Sequence, residues 1–426
     1  MSLKSRLFSA LESVYALSDK RFWMFFGTGL IVSVAYMDPG NWGTSISAGA
    51  QYNYLLLWAI WFSSGAAMLF QYLSGKLGIA GHTIGDLVRQ RWQDKRLVFS
   101  YWLLAELAIL ATDLAEFLGI VVALNLLFGV PYAIGAFLAV ADIFLLIHLT
   151  SKRFRVLEYA FILFVSVIGI GYVYEIAITQ PDIASVISFS FKPSLSAETA
   201  LLVVGIIGAT VMPHALFVHS WLMKNKIEEN YNGKNGAPDK RRLLIFHRTD
   251  VILSLAIASL VNAAILIMSA AAFYQRGIAV ATIDEAYRTL SPLFGSLASI
   301  VFAVALLSAG ISSSITGTLS GQSIMETLTD FKLGATARRL ITRVVNLIPI
   351  LFAIHFQIEP LQILVISQVI LSLLIPLPLL PLIYYTAKKD VMGEFANRRS
   401  TTYAAAALAL VIILFNIYLL YQTFLA

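Results

Sequence analysis

Apolar residues run through most of this chain in long stretches, separated by shorter polar and basic segments. About 20 apolar residues is the length an α-helix needs to cross the hydrocarbon core of a bilayer. On that measure the pattern predicts eleven spans: residues 22–50, 53–75, 98–126, 130–149, 156–178, 198–223, 249–274, 293–322, 340–357, 361–386 and 402–424. Among those with a proline inside the run, two set it beside polar or sulfur-bearing side chains. Span 1 contains Ala35-Tyr36-Met37-Asp38-Pro39-Gly40-Asn41, and span 6 contains Met212-Pro213-His214. Proline removes a backbone donor and clashes with the preceding turn, so both helices are expected to break there. The first apolar run lacks a signal-peptide cleavage pattern and carries this break, so it is read as a span. The expected fold class is an all-α integral membrane protein of 11 transmembrane helices with helices 1 and 6 broken.

The two breaks stand five spans apart, so their helices run in opposite directions. Discontinuous helices at matching positions of two halves of opposite topology point to an inverted-repeat transporter with its site at the repeat interface. The organisation that follows is a cytoplasmic segment at 1–21, a first repeat of spans 1–5 at 22–178, and a second repeat of spans 6–10 at 179–386. Residues 387–426 add a cytoplasmic loop and span 11, outside the repeat.

Composition agrees: 59% of the 426 residues are hydrophobic and 13% charged, an integral-membrane balance. Charge then orients the chain. With the N-terminus cytoplasmic, only Lys192, Arg276 and Arg288 of the 30 Lys and Arg residues fall outside. Such an asymmetry follows the positive-inside rule and predicts N-in, C-out. The net charge of +6 therefore reflects orientation, not nucleic-acid binding. Cysteine is absent, which rules out disulfides and thiolate metal sites. Short termini point to a prokaryotic plasma membrane.

An aspartate at mid-bilayer costs about 2.5–3.5 kcal/mol or more, so Asp38 needs a purpose or a partner. A broken helix at that depth persists only where its freed carbonyls are buried in protein or line a cavity. Asp38, the Asn41 amide and unwound carbonyls such as Ala35 and Ala209 together suit a cation; a satisfied proline kink is the plainer alternative. Oxygen ligands alone would suit Mg²⁺ or Ca²⁺. The Met212 thioether, if it is a ligand and not core filling, shifts the preference to transition metals. His214 suits proton movement better than metal ligation, or it is a packed histidine. Span 3 places Glu106, Asp113 and Glu116 on one helix face. Two readings fit these acids: a proton relay, or an ion-pair network with basic residues of a neighbouring helix. Asp142 and Glu158 have no evident partner and are expected to make helix–helix hydrogen bonds. Ser312-Ser313-Ser314 and Gly310 in span 8 favour close helix packing.

Asp38-Pro39-Gly40-Asn41 paired with Met212-Pro213-His214 resembles the Nramp family of proton-coupled divalent metal transporters. The similarity extends through Ala111-Thr112-Asp113-Leu114-Ala115-Glu116-Phe117, Ser312-Ser313-Ser314 and Ser367-Gln368-Val369. The resemblance implies a LeuT-type 5+5 inverted repeat and uptake of Mn²⁺ and Fe²⁺, with Cd²⁺ and Co²⁺ as further cargo, by alternating access coupled to protons. It implies metal ligation by Asp38, Asn41, Met212 and the Ala209 carbonyl, with Gln368 joining in the occluded state. It assigns the proton route to His214, Asp113 and Glu116 with an arginine at the start of span 9. Arg339 fits that place best by the Arg-Arg-Leu-Ile-Thr pattern, and Arg343 is the alternative. The metal is cargo, H⁺ is the coupling ion, and no cofactor, nucleic acid or obligate protein partner is expected. An intramembrane enzyme is disfavoured, since neither Gly-x-Gly-Asp nor His-Glu-x-x-His occurs. A sodium-coupled carrier of organic solutes would not usually pair a carboxylate with a thioether.

Overall fold

The structure, a computed structural model, describes Phe22 and residues 28–142, 154–231, 239–278, 280, 282–329, 331 and 333–425. Among these residues there are helices and turns and no β-strand. The N-terminal segment 1–21, residues 143–149 of span 4, and the centre of the loop between spans 6 and 7 lie outside the described residues. So does the side chain of Glu158.

Span 1 is two helices, α1 (Thr28–Ala35) and α2 (Pro39–Tyr52). Span 2 is α3 (Leu57–Ala80), followed by a short α4 (Ile84–Arg91). Span 3 is α5 (Lys95–Phe128), opened by Asp94 as N-cap and closed by Gly129 at φ 66°, a left-handed value that glycine adopts without strain. Then come α6 (Tyr132–Ala139) in span 4, α7 (Phe154–Thr179) as span 5, and α8 (Ile183–Ser190). Span 6 divides into α9 (Ala197–Val211) and α10 (Pro213–Tyr231). The later helices are α11 (Lys240–Ala272), α12 (Ile283–Phe294), α13 (Ser296–Leu328), α14 (Ala335–His355), α15 (Pro360–Leu374), α16 (Pro376–Ala387), α17 (Lys389–Met392) and α18 (Arg399–Phe424).

Among the described residues, seven helices are long and apolar enough to cross a membrane. The segment Ala197–Glu229, which holds the second break, has 94% of its apolar window buried, against 28% in Tyr159–Thr179 and in α18. The broken span therefore runs through the centre of the bundle, and α7 and α18 form part of its rim. Span 10, read as one run over 361–386, is interrupted at Ile375, because Pro376 cannot donate to the turn before it.

The most extensive contact joins α5 to α13. Next come α2 on α11, α9 on α15 and α10 on α3. Glycine permits several of these approaches. A Cβ at Gly208 would collide with the Gln368 backbone carbonyl, and one at Gly317 would lie 2.7 Å from Glu116 Oε2. Within lipid, where apolar burial gives little drive for helix association, such small-residue seams let backbones and polar groups meet. The largest buried cluster surrounds both breaks and includes Ala35, Met37, Trp42 and Met212.

Candidate metal centre

The first break is built locally. Tyr36, Met37 and Asp38 donate to Ser33, Val34 and Ala35 carbonyls three residues back, at 3.0, 3.1 and 3.3 Å, which tightens and ends α1. Pro39 starts α2, where a missing N–H costs nothing. Asp38 is the N-cap, and its Oδ1 accepts from the Asn41 backbone N–H at 2.8 Å. The second break is set by Pro213, which bars the preceding residue from continuing a helix. Met212 is left at φ 35°, ψ 103°, fully buried and in a region that a non-glycine residue seldom occupies.

Asn41 ties the two breaks together. Its Nδ2 donates to Asp38 Oδ1 and to the Ala209 carbonyl, each at 2.8 Å. Its Oδ1 accepts at 3.1 Å from Asn262 on α11, which also donates to the Tyr36 carbonyl at 2.8 Å. The Asn41 amino group thus stands between a carboxylate and a carbonyl, satisfying both with partial positive charge. The other carboxylate oxygen, Asp38 Oδ2, is buried and has no hydrogen-bond donor. Gln368 on α15 lies over both breaks: a Cβ at Gly40 would strike its side-chain amide, and its backbone carbonyl packs on Gly208. Gln368 Nε2 donates to Ser367 Oγ at 3.1 Å, while its buried Oε1 is without a donor.

Asp38, Asn41, Ala209 and Gln368 are therefore brought together, and Met212 shares the buried cluster of Ala35 at the turning points of the two helices. The Ala35 carbonyl accepts the 3.3 Å bond from Asp38 N–H. Carboxylate, carbonyl and amide oxygens with a thioether in the same cluster are a mixed hard and soft group of the kind that could hold a divalent transition metal.

His214 sits at the start of α10. Its Nδ1 pairs with Thr112 Oγ1 at 2.9 Å, and its buried Nε2 has no partner. Thr112 precedes Asp113 on α5, so the imidazole adjoins the acidic face predicted for span 3. That face divides in the fold. Glu106 pairs with Arg338 at 2.5 Å. Asp113 pairs with Arg339 and accepts from Asn346 at 3.0 Å. Arg343 Nη1 lies 3.5 Å from Asp113 Oδ1. Glu116 has neither an ion partner nor a donor on either buried oxygen. The ion-pair reading thus holds for two of the acids, and Glu116 stands apart.

Asp142, which the sequence left without an evident partner, makes the expected helix–helix hydrogen bonds, and its partners are charged: it accepts from Arg339 at 2.9 Å, pairs with Arg343, and takes a third bond from Ser314 at 3.1 Å. Asp113, Asp142, Arg339 and Arg343 form one buried four-membered network, which neutralises charges that could not otherwise stay dehydrated. About 200 residues separate Asp142 from its arginines, so local pattern could not reveal the match.

Other polar groups were also overlooked. His219 on α10 pairs through Nδ1 with Gln71 Oε1 at 2.7 Å, and Gln71 donates to the Tyr36 hydroxyl at 2.7 Å. The His219 and His247 rings meet edge to face at 5.0 Å. This chain leads from the break into the first half of α10. A second histidine five residues after His214 was the available signal. Asp250 on α11 accepts from Gly29 N–H at 2.8 Å and secures the start of α1.

A family model described as natural resistance-associated macrophage protein-like, Nramp, matches residues 29–422. A divalent metal cation transporter MntH of Deinococcus radiodurans is 42% identical over 406 residues, covering 95% of this chain and 91% of that protein. The MntH of Granulibacter bethesdensis is 40% identical over 403 residues, covering 94% and 89%. Among solved structures, the Eremococcus coleocola manganese transporter, in complex with an aromatic bis-isothiourea compound, superposes with TM-score 0.83 at 33% identity. It covers 95% of this chain and 88% of that one. A nucleobase-cation-symport-1 family transporter in a closed conformation, 14% identical, shares the fold at TM-score 0.61 and covers 93% of this chain and 89% of its own.

Proposed function

The chain belongs to the Nramp family, and on that premise we propose that it imports divalent transition-metal ions, Mn²⁺ and Fe²⁺ foremost, coupled to protons by alternating access. The observation that carries this reading is the donorless, buried Asp38 Oδ2 beside an Asn41 amino group that bridges to the second break. A dehydrated divalent cation supplies the charge that this oxygen lacks. Asn41 turns its amide so that oxygen replaces the amino group, which frees the Ala209 carbonyl for the metal. Met212 adds the soft ligand that favours Mn²⁺ and Fe²⁺ over Ca²⁺ and Mg²⁺. Gln368 closes over the ion from α15.

Asp38 exchanges its proton for the metal. The route onward uses His214 beside Thr112, then Glu116, with Asp113 held by Arg339 and Arg343 at its inner end. Two five-helix repeats at 22–178 and 179–386 rock against each other around the fixed site, in a prokaryotic plasma membrane with the N-terminus inside. The eleven-span count belongs to this reading.

The test is uptake of Mn²⁺ into proteoliposomes with internal pH recorded. Asp38→Ala is expected to abolish both uptake and acidification, and sodium is expected to have no effect. Wild-type uptake by Asp38→Ala would overturn the assignment.

A further inference from the structure

A further buried carboxylate without a donor lies outside the centre described above. Glu175, in the last turns of α7, is 1% exposed, and neither of its carboxylate oxygens has a hydrogen-bond donor. One turn earlier, the buried Tyr172 hydroxyl is also unpartnered. The Tyr172 ring packs edge-on against Trp42 at 5.1 Å, and Trp42 packs against Phe302 of α13 at 5.3 Å. The buried Trp42 Nε1–H has no acceptor. Three polar groups in mutual succession are thus sealed from water and from each other's hydrogen bonds. Native interiors seldom leave such groups unsatisfied without a ligand, water or function to account for them.

Their order along the chain gives a direction. Trp42 is in the first turn of α2, directly after Asn41. Glu175 stands about 5 Å beyond Tyr172 along the helix axis, and α7 ends at Thr179, one turn further on. With the N-terminus inside, α2 and α7 both run outward. Glu175 then lies between the outer mouth and the metal centre, and the Trp42–Tyr172 ring contact separates the two.

We propose that Glu175 and Tyr172 form an outer receiving site, where a divalent cation is held, still partly hydrated, before it passes Trp42 to reach Asp38. A carboxylate and a phenol are both hard oxygen donors, so this site takes divalent cations with little discrimination and leaves selection to Met212. Both groups are enclosed here without a hydrogen-bond partner, which a cation held between them would supply. The inference rests on the transport reading and on the N-in orientation.

Its test uses vesicles with the full-length protein inserted in one orientation. Glu175→Gln keeps the side-chain shape. It is expected to raise the KM for Mn²⁺ added at the outer face about tenfold with Vmax within about twofold, because ground-state capture is lost and later steps are not. The KM for Mn²⁺ presented at the inner face, and the discrimination between Mn²⁺ and Ca²⁺, are expected to stay unchanged. Tyr172→Phe retains the ring and is expected to give a smaller outer shift, about threefold; it decides the question if Glu175→Gln fails to reach the membrane. An unchanged outer KM, or an equal shift at both faces, overturns the receiving site and marks the carboxyl as structural. Asp38→Ala inactive with Glu175→Gln unaltered sinks this inference alone, whereas an active Asp38→Ala removes the transport reading beneath it.

Discussion

The two oxygens of Asp38 are in different circumstances, and that difference is the chemistry of the site. Oδ1 is satisfied twice by Asn41, once from backbone and once from side chain, and Oδ2 by nothing. The first oxygen fixes the carboxylate as the cap of α2, and the second is presented. Met212, at the second break, is held in a backbone conformation that the following proline and the surrounding packing enforce. In the proposed site its sulfur is the soft donor in an otherwise oxygen set. Met212→Ala is therefore expected to make Ca²⁺ about tenfold more effective as a competitor of Mn²⁺ uptake, a difference of about 1.4 kcal/mol in relative binding. Competition curves in proteoliposomes measure it, and an unchanged Ca²⁺ curve would remove Met212 from selection. Asp38 and Met212 were legible in sequence because a charge and a thioether beside mid-span prolines are conspicuous. Asn262 was not, since one amide in a long apolar helix has no local signature, and its hold on Asn41 exists only across 221 residues.

At the scale of the element, α14 brings three arginines to α5 within its first turns. Arg338 meets Glu106 near the surface, with side-chain exposures of 8% and 18%. Arg339 and Arg343 meet Asp113 and Asp142 at 5% or less. Breaking a buried pair by removing one partner costs about 3–5 kcal/mol, because the remaining charge keeps its desolvation penalty. Asp142→Asn leaves two guanidinium groups sharing Asp113 and is expected to destabilise the protein by about that much. Glu106→Gln, wetter and with one partner, is expected to lose about 1 kcal/mol. Thermal unfolding in detergent separates them, and equal losses would show that the four-membered network is not a unit. The acidic face of span 3 and the basic start of span 9 could both be read from spacing. Their pairing could not, because Asp142 completes it from a third helix. The interruption at Ile375 was less legible than those at Pro39 and Pro213, because no polar residue stands beside Pro376 and a proline alone does not decide: Pro349 lies inside the unbroken α14.

For the whole molecule, orientation is the property on which transport direction depends, and it is carried by charge outside the bundle. The absence of cysteine makes this directly testable. Arg241 and Arg276 are exposed on segments assigned to opposite faces. A membrane-impermeant maleimide applied to intact cells is expected to label Arg276→Cys and to spare Arg241→Cys until the membrane is opened. The reverse pattern would invert the topology and with it the outer placement of Glu175. The sequence by itself determined the membrane class, two broken helices and the residues that stand at the breaks. These follow from local physics: apolar length, proline geometry and the cost of a charge in lipid. Only the tertiary structure decided which polar groups satisfy one another. It paired Asp113 and Asp142 with their arginines, turned Asn41 toward the second break, and left Asp38 Oδ2, Glu116 and Glu175 without donors. A buried polar group finds its partner by position in space, and helices in a bundle bring together residues that have no sequence relation to one another.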